Sequence, residues 1–403
     1  MCDLAKLSVE IEVHIEKDNI VRIHHWAIAL FTLLAISIPE AVWAIRPLGD
    51  SRVFTELPAE PGYPEDIALL GDRVFISGPA QSGLFVQPSV LEYDLDSGVF
   101  VRKYDITGQN PNLPQAIAGI VFDKSNRLYV TDIQQGIVRF DVTEPNPVQE
   151  IYASALPDLP ICSTVTAGTP CSPTTVDQTP LINDSVFDSS GNLYISDSFQ
   201  ATIWRVAPGG GTPEIWFQDS RFEGFGANGL RVDPTGTKLY VATTLNALGQ
   251  GFIRTLPLID TLSAADLSTF FQYAPNEAPS GIEFGSSGNL YVALGRSNQI
   301  SVLSPNGTEI NRFSGPAVRP NDPNNLLQWR NPSNIAFNNK TRALLVTNNP
   351  LPTIFDPQPE FAVYDVFVND VAVGVPEPSS LLGTMLILGL GCCFGTRRFR
   401  RWH

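Results

Sequence analysis

Apolar and polar residues alternate over short stretches through most of this chain, and the alternation returns in recognisable phrases. "GIVFDKSNRLYVTD" begins at Gly119, "DSVFDSSGNLYISD" at Asp184, "GLRVDPTGTKLYVAT" at Gly229 and "GIEFGSSGNLYVAL" at Gly281. Weaker copies begin at Asp66 ("DIALLGDRVFISG") and Asn334 ("NIAFNNKTRALLVTN"), so the phrase recurs six times, about every 54 residues. Each copy reads as an alternating strand, a polar turn such as Ser190, Gly191 and Asn192, and a second strand. A third strand often follows ("IVRFDV", "TIWRVAP", "QISVLSP"), and a fourth can be read before the next copy ("EIYAS", "EIWFQ", "STFFQYA"). Four short strands per repeat make a propeller blade. Between residues 45 and 375 no stretch carries a convincing helical period, and this length exceeds what one ordinary core fills. The pattern therefore predicts an all-β, six-bladed β-propeller. "EFAVYDVFV" near the end is expected to share a blade with "SRVFTEL" near the start, closing the ring.

Two segments break the alternation. Arg22 precedes an apolar run over 26–38, and Val42, Trp43 and Ala44 offer a small-residue cleavage site, so residues 1–44 read as a leader with a signal peptide. Its acidic first part is long for such a leader; initiation near Val21 and a long but genuine leader both remain open. At the other end, residues 378–396 carry no charge and are followed by Arg397, Arg398, Arg400 and Arg401. This is about the minimum length for a membrane-spanning helix, and the arginines would hold that end in the cytoplasm. Pro376, Glu377 and Pro378, the apolar span and the arginine cluster, in that order, resemble the bacterial PEP-CTERM sorting signal. The resemblance implies an exported protein, periplasmic, cell-surface or secreted, processed by an exosortase-type enzyme and held in a membrane only through residues 376–403.

Composition narrows the chemistry. The chain carries 41 acidic against 26 basic residues, a net charge of −15, which argues against nucleic-acid binding and favours cations or neutral ligands. Its four histidines (His14, His24, His25, His403) all lie outside 45–375, so catalysis there cannot use imidazole as base, triad member or zinc ligand. Cys162 and Cys171, separated by a Pro/Thr-rich stretch, read as a disulfide in an exported chain.

The innermost strand of each blade lines a propeller's channel, so the residues just before each phrase should ring one mouth. They are Glu65, Ala118, Asn183, Asn228, Ser280 and Ser333: hard oxygen donors, suited to calcium or magnesium rather than zinc. Long loops over 155–180, 220–227 and 317–332 are expected on the same face, where loops on a rigid scaffold bind ligands. "GANGLRVDPTGTKLYVATT" resembles the blade motif of the SMP-30/gluconolactonase family, six-bladed propellers that hydrolyse sugar lactones with a divalent cation, and the phrases are similar to NHL repeats. The resemblance implies that Glu65 and Asn228 are metal ligands and that Asn183 binds substrate. The family's aspartate, metal ligand and base, falls on Ser280, leaving that position only a substrate-binding role. Asn183 and Asn228 could equally serve only to shape turns. Two functions follow: a binding module for a small molecule, glycan or surface protein, which Ser280 favours; or, alternatively, a cation-dependent lactonase, which Glu65, Asn183 and Asn228 favour.

Overall fold

The computed structural model describes residues 46–80, 84–350 and 360–373. The leader, Pro376, Glu377, Pro378, Arg397, Arg398, Arg400 and Arg401 lie outside the described residues. Among those described, no helix is long and apolar enough to cross a membrane. Contacts divide the chain into Met1–Arg46 and a second unit, Pro47–His403.

This unit is the expected six-bladed propeller. Five four-stranded antiparallel sheets follow one another in chain order, their innermost strands being Ile67–Leu70, Ile117–Phe122, Ile182–Phe187, Gly224–Val232 and Pro279–Phe284. The sixth blade runs outward from Pro332–Asn338 through Ala343–Asn348 and Ala362–Phe367 to Ser51–Glu56. Ser51–Glu56 pairs antiparallel with Ala362–Phe367, so the first and last strands of the described residues share one sheet and close the ring as expected.

Each phrase supplies both faces of a blade, and the apolar positions pack between blades rather than within one. Phe75, Val90 and Tyr104 of blade one meet Ile117, Leu128 and Phe140 of blade two, while Tyr129 and Tyr152 of blade two meet Leu193 and Trp204 of blade three. Similar clusters fill the remaining interfaces, including the one between blades six and one. Burying these side chains against neighbours is what lets small sheets form one stable body.

At the centre the inner strands approach closely. A Cβ on Gly119 would lie 2.7 Å from the Asn183 carbonyl oxygen, so only glycine lets blades two and three meet there. Hydroxyls stitch the ring together at the fifth place of the second strand in blades one, two and six. Ser77 donates to the Ala118 carbonyl (2.5 Å), Thr131 to that of Asn183 (3.0 Å) and Thr347 to that of Glu65 (3.0 Å). Each bond joins one blade to the mouth residue of the next.

On the far face, the strand-to-strand turn of blades two and three is capped by Asp123 and Asp188, each of which also accepts a bond from a tyrosine of its own blade. Blade five has Gly285 at the equivalent place. Asp370, from beyond the last strand, takes over the role, accepting from Tyr291 Oη (3.0 Å), Ser286 Oγ (2.9 Å) and Ser287 Oγ.

The long loops meet expectation only in part. Cys162 and Cys171 are disulfide-bonded, but none of residues 155–180 lines the mouth. This loop settles on blades three and four, with Ser172 Oγ donating to the Gln200 carbonyl and Thr175 N to Glu223. Residues 317–332 mostly form an outer hairpin, in which Ala317–Arg319 pairs parallel with Ser51–Glu56 at the far edge of blade six. Residues 220–227 hold a short 3-10 turn and then enter the long inner strand Gly224–Val232. Leu156 and Leu159 of the first loop and Leu327 and Trp329 of the last pack into clusters between and along blades, whereas Phe225 and Asn331 line the cavity at the mouth.

Candidate functional site at the channel mouth

All six ring residues, Glu65, Ala118, Asn183, Asn228, Ser280 and Ser333, line one cavity of about 510 Å³. They meet because each stands immediately before the repeated phrase, the same place relative to the inner-strand segment in every blade. A second tier comes from the ends of the repeated second strands: Ala80, Phe199, Arg296 and Asn349 just beyond them, and Thr244 and Leu245 within the longer strand Lys238–Asn246 of blade four. Sequence reasoning missed this tier, although its signal was present, since Ala80, Phe199, Leu245 and Arg296 each stand two places after the end of the phrase.

Glu65 is the cavity's one carboxylate. Asn349 Nδ2 donates to its Oε2 (3.1 Å), and Ser333 also hydrogen-bonds it. Burial pushes its pKa above the ordinary value, against those two hydrogen bonds, and the negative charge of Asp184 adds to the rise. A carboxylate whose folded pKa is raised costs stability above its unfolded value of 4.5. Glu65→Gln is therefore expected to raise Tm at pH 7 by about 1–3 °C in the presence of a chelator, with the gain vanishing as pH falls below 4.5, as thermal melts across pH would register.

The two asparagines are oriented by their neighbours. Asn183 Nδ2 donates to Ser198 Oγ (3.1 Å), whose own proton is committed to the Ala227 carbonyl (2.7 Å). Ser198 can thus only accept from Asn183, which leaves the Asn183 carbonyl oxygen to the cavity. Asn228 Nδ2 likewise donates to Thr244 Oγ1 (2.9 Å). Nearby, the buried Oδ1 of Asn349 has no hydrogen-bond partner. An orphaned acceptor, two free amide carbonyls and one carboxylate suit a hard cation. They do not suit zinc, since no Cys or His lines the cavity. Among the described residues no three His, Cys, Asp or Glu side chains cluster as a metal cage, so a cation here depends mainly on neutral oxygens.

Asp66 and Asp184 follow Glu65 and Asn183 in sequence and could in principle have replaced the carboxylate missing at Ser280. Neither lines the cavity. Each bridges two backbone amides instead: Asp66 accepts from Ile67 N (2.7 Å) and Ile120 N (2.6 Å), and Asp184 from Ser185 N (2.7 Å) and Leu230 N (2.8 Å). Arg231 supplies their counter-charge, with Nη1 3.1 Å from Asp184 and Nε 3.0 Å from Glu283. Burial and the charge of Asp184 push Asp66 well above the ordinary carboxylate value; burial raises Asp184 too, against the pull of Arg231. Asp132 and Asp197 hold turns, accepting from Gln134 N and Gln135 N, and from Leu181 N and Gln200 N, respectively.

A six-bladed propeller with an oxygen-lined mouth is thus the class that fold and site define. No protein-family model and no curated protein matches the chain. Solved structures of similar fold include gluconolactonase- and regucalcin-like propellers. Regucalcin from Agrobacterium tumefaciens, described as a calcium-binding protein, aligns with a TM-score of 0.53 at 16% identity over 81% of this chain and 97% of its own. A gluconolactonase from Xanthomonas campestris aligns at 0.43 and 16% identity over 80% and 99%. Virginiamycin B lyase from Staphylococcus aureus aligns at 0.49 and 12% over 79% and 99%. At these identities the likeness is one of fold.

Proposed function

We propose that the channel mouth is a cation-assisted hydrolase site for a small lactone or related ester. The observation that carries this reading is the convergence of Glu65 with the oriented amide carbonyls of Asn183 and Asn228 in one cavity. Glu65 and Asn228 would hold a divalent cation, calcium rather than zinc, and Asn183 would position the substrate. The cation, when bound, supplies polarisation of a carbonyl and acidification of water. Ser333 and Asn349 keep the Glu65 carboxylate in place, and Ser198 keeps Asn183 facing inward. The regucalcin that shares the fold is described as calcium-binding, which agrees with this donor set. We place the protein outside the cytoplasm, exported by residues 1–44 and sorted through residues 376–403 by an exosortase-type enzyme; the Cys162–Cys171 disulfide suits an oxidising compartment.

Ser280 favours a second reading, a non-catalytic module binding a small molecule, glycan or surface protein, because a hydroxyl there adds no charge to a cation site and no base. Hydrolysis of a panel of sugar and aliphatic lactones, followed with calcium and with EDTA, separates the two. Calcium-dependent turnover that Glu65→Gln abolishes supports the hydrolase; no turnover of any lactone leaves the binding module.

A further inference from the structure

The mouth has two unlike walls. Blades three and four present Leu181, Phe199, Phe225 and Leu245, all only partly buried, with the Phe199 and Phe225 rings edge to face at 5.7 Å. Blade five presents Arg296, the cavity's one cationic side chain. Its Nη1 touches Asn276 Oδ1 at 3.2 Å, and among the described residues it has no carboxylate partner. Arg205, Arg231 and Arg312, by contrast, are each ion-paired. The turn that carries Arg296 is braced: Asn298 Oδ1 accepts from Asn331 N (2.8 Å), Gly295 N donates to the Ala278 carbonyl (2.9 Å), and a Cβ on Gly295 would strike Asn331 Oδ1 at 2.5 Å. Arg296 is therefore an unspent guanidinium on a fixed support, in a protein whose net charge is −15.

We propose that the mouth takes an amphipathic monocarboxylate, its apolar ring or chain lying on Phe199 and Phe225 and its carboxylate held by Arg296. A guanidinium matches a carboxylate with paired N–H donors. A single unpaired cation in a cavity that also holds the Glu65 carboxylate suits a monoanion better than a phosphate dianion. A cavity of about 510 Å³, apolar on one side with a few convergent polar groups, is of the size that encloses a small organic ligand. The inference rests on reading the mouth as a small-molecule site, and under the hydrolase reading it makes the substrate an aryl- or alkyl-bearing lactone with a free carboxylate.

The test is binding of 4-phenylbutyrate and its neutral analogue 4-phenylbutyramide to the full protein in EDTA, followed by calorimetry or ligand-observed NMR. The acid should bind at least 10-fold more tightly than the amide. Arg296→Gln should remove that preference by weakening the acid far more than the amide, Arg296→Lys should retain part of it, and Phe225→Ala should weaken both ligands. Equal binding of acid and amide, no binding of either, or an Arg296→Gln protein that keeps the preference would overturn the proposal. Because the assay involves neither cation nor turnover, a failed lactone screen with the acid preference intact refutes only the hydrolase reading. Lactone turnover without that preference refutes only this one.

Discussion

Arg231→Met is expected to destabilise the propeller by about 3–5 kcal/mol, the largest loss of any single change considered. The guanidinium lies between Asp184 and Glu283 and acts on Asp66, three carboxylates on three different blades. Burial opposes its charge, but those carboxylates outweigh burial and raise its pKa. Methionine keeps the stem's apolar volume and removes the charge, so two buried aspartates would face each other without a counter-ion. Their folded pKa values, already above 3.8, would rise further. The penalty is fully present above the folded values and disappears as pH falls below 3.8, so the mutant should lose most at neutral pH and approach the native protein in acid. Urea denaturation at pH 7 and at pH 3.5 measures both ends. Adding Asp184→Asn should recover part of the loss, since one uncompensated charge goes with it. A mutant as stable as the native protein at pH 7 would mean that the aspartates are neutral there and that the ionic account of the ring is wrong.

Ser280→Asp should act in the opposite sense, on binding. Ser280 is buried at the cavity wall, in the register position that faces Glu65 and Asn228 around the ring. A second carboxylate there raises the charge of an otherwise mostly neutral donor set, and calcium affinity should increase on the order of 10–100-fold. Without a cation the same change places two carboxylates in one cavity and should lower Tm, because each raises the other's pKa. Calcium should then restore the melt by mass action. Calorimetry and thermal melts with and without calcium test both signs. If affinity does not rise, Ser280 and Glu65 do not share a cation site.

Much of this was legible in the sequence for a definite physical reason. A propeller repeats one strand–turn–strand phrase, so the six copies fixed the blade count, and equal register put Glu65, Asn183, Asn228, Ser280 and Ser333 at one mouth. The closing pair, Ser51–Glu56 with Ala362–Phe367, was readable because Ser51–Glu56 precedes the first phrase with no partner nearby in sequence, while the last phrase is followed by one strand too few for a blade. What failed was everything set by contacts between non-repeating parts. The alternation says that residues 155–180 and 317–332 are irregular or extended, but not that one settles on blades three and four while the other becomes an outer hairpin. Likewise Asp66 and Asp184 look like candidate ligands beside Glu65 and Asn183. Only the inter-blade amides of Ile120 and Leu230 reveal them as staples.

The central claim is that Glu65 and Asn228 hold a hard cation at the channel mouth, beside Asn183. Calorimetric titration of calcium into the native protein and into Glu65→Gln tests it most directly. One site per chain, weak because a single carboxylate holds it, and absent from Glu65→Gln, is the predicted result. No calcium uptake by the native protein, or uptake that Glu65→Gln leaves unchanged, would contradict it.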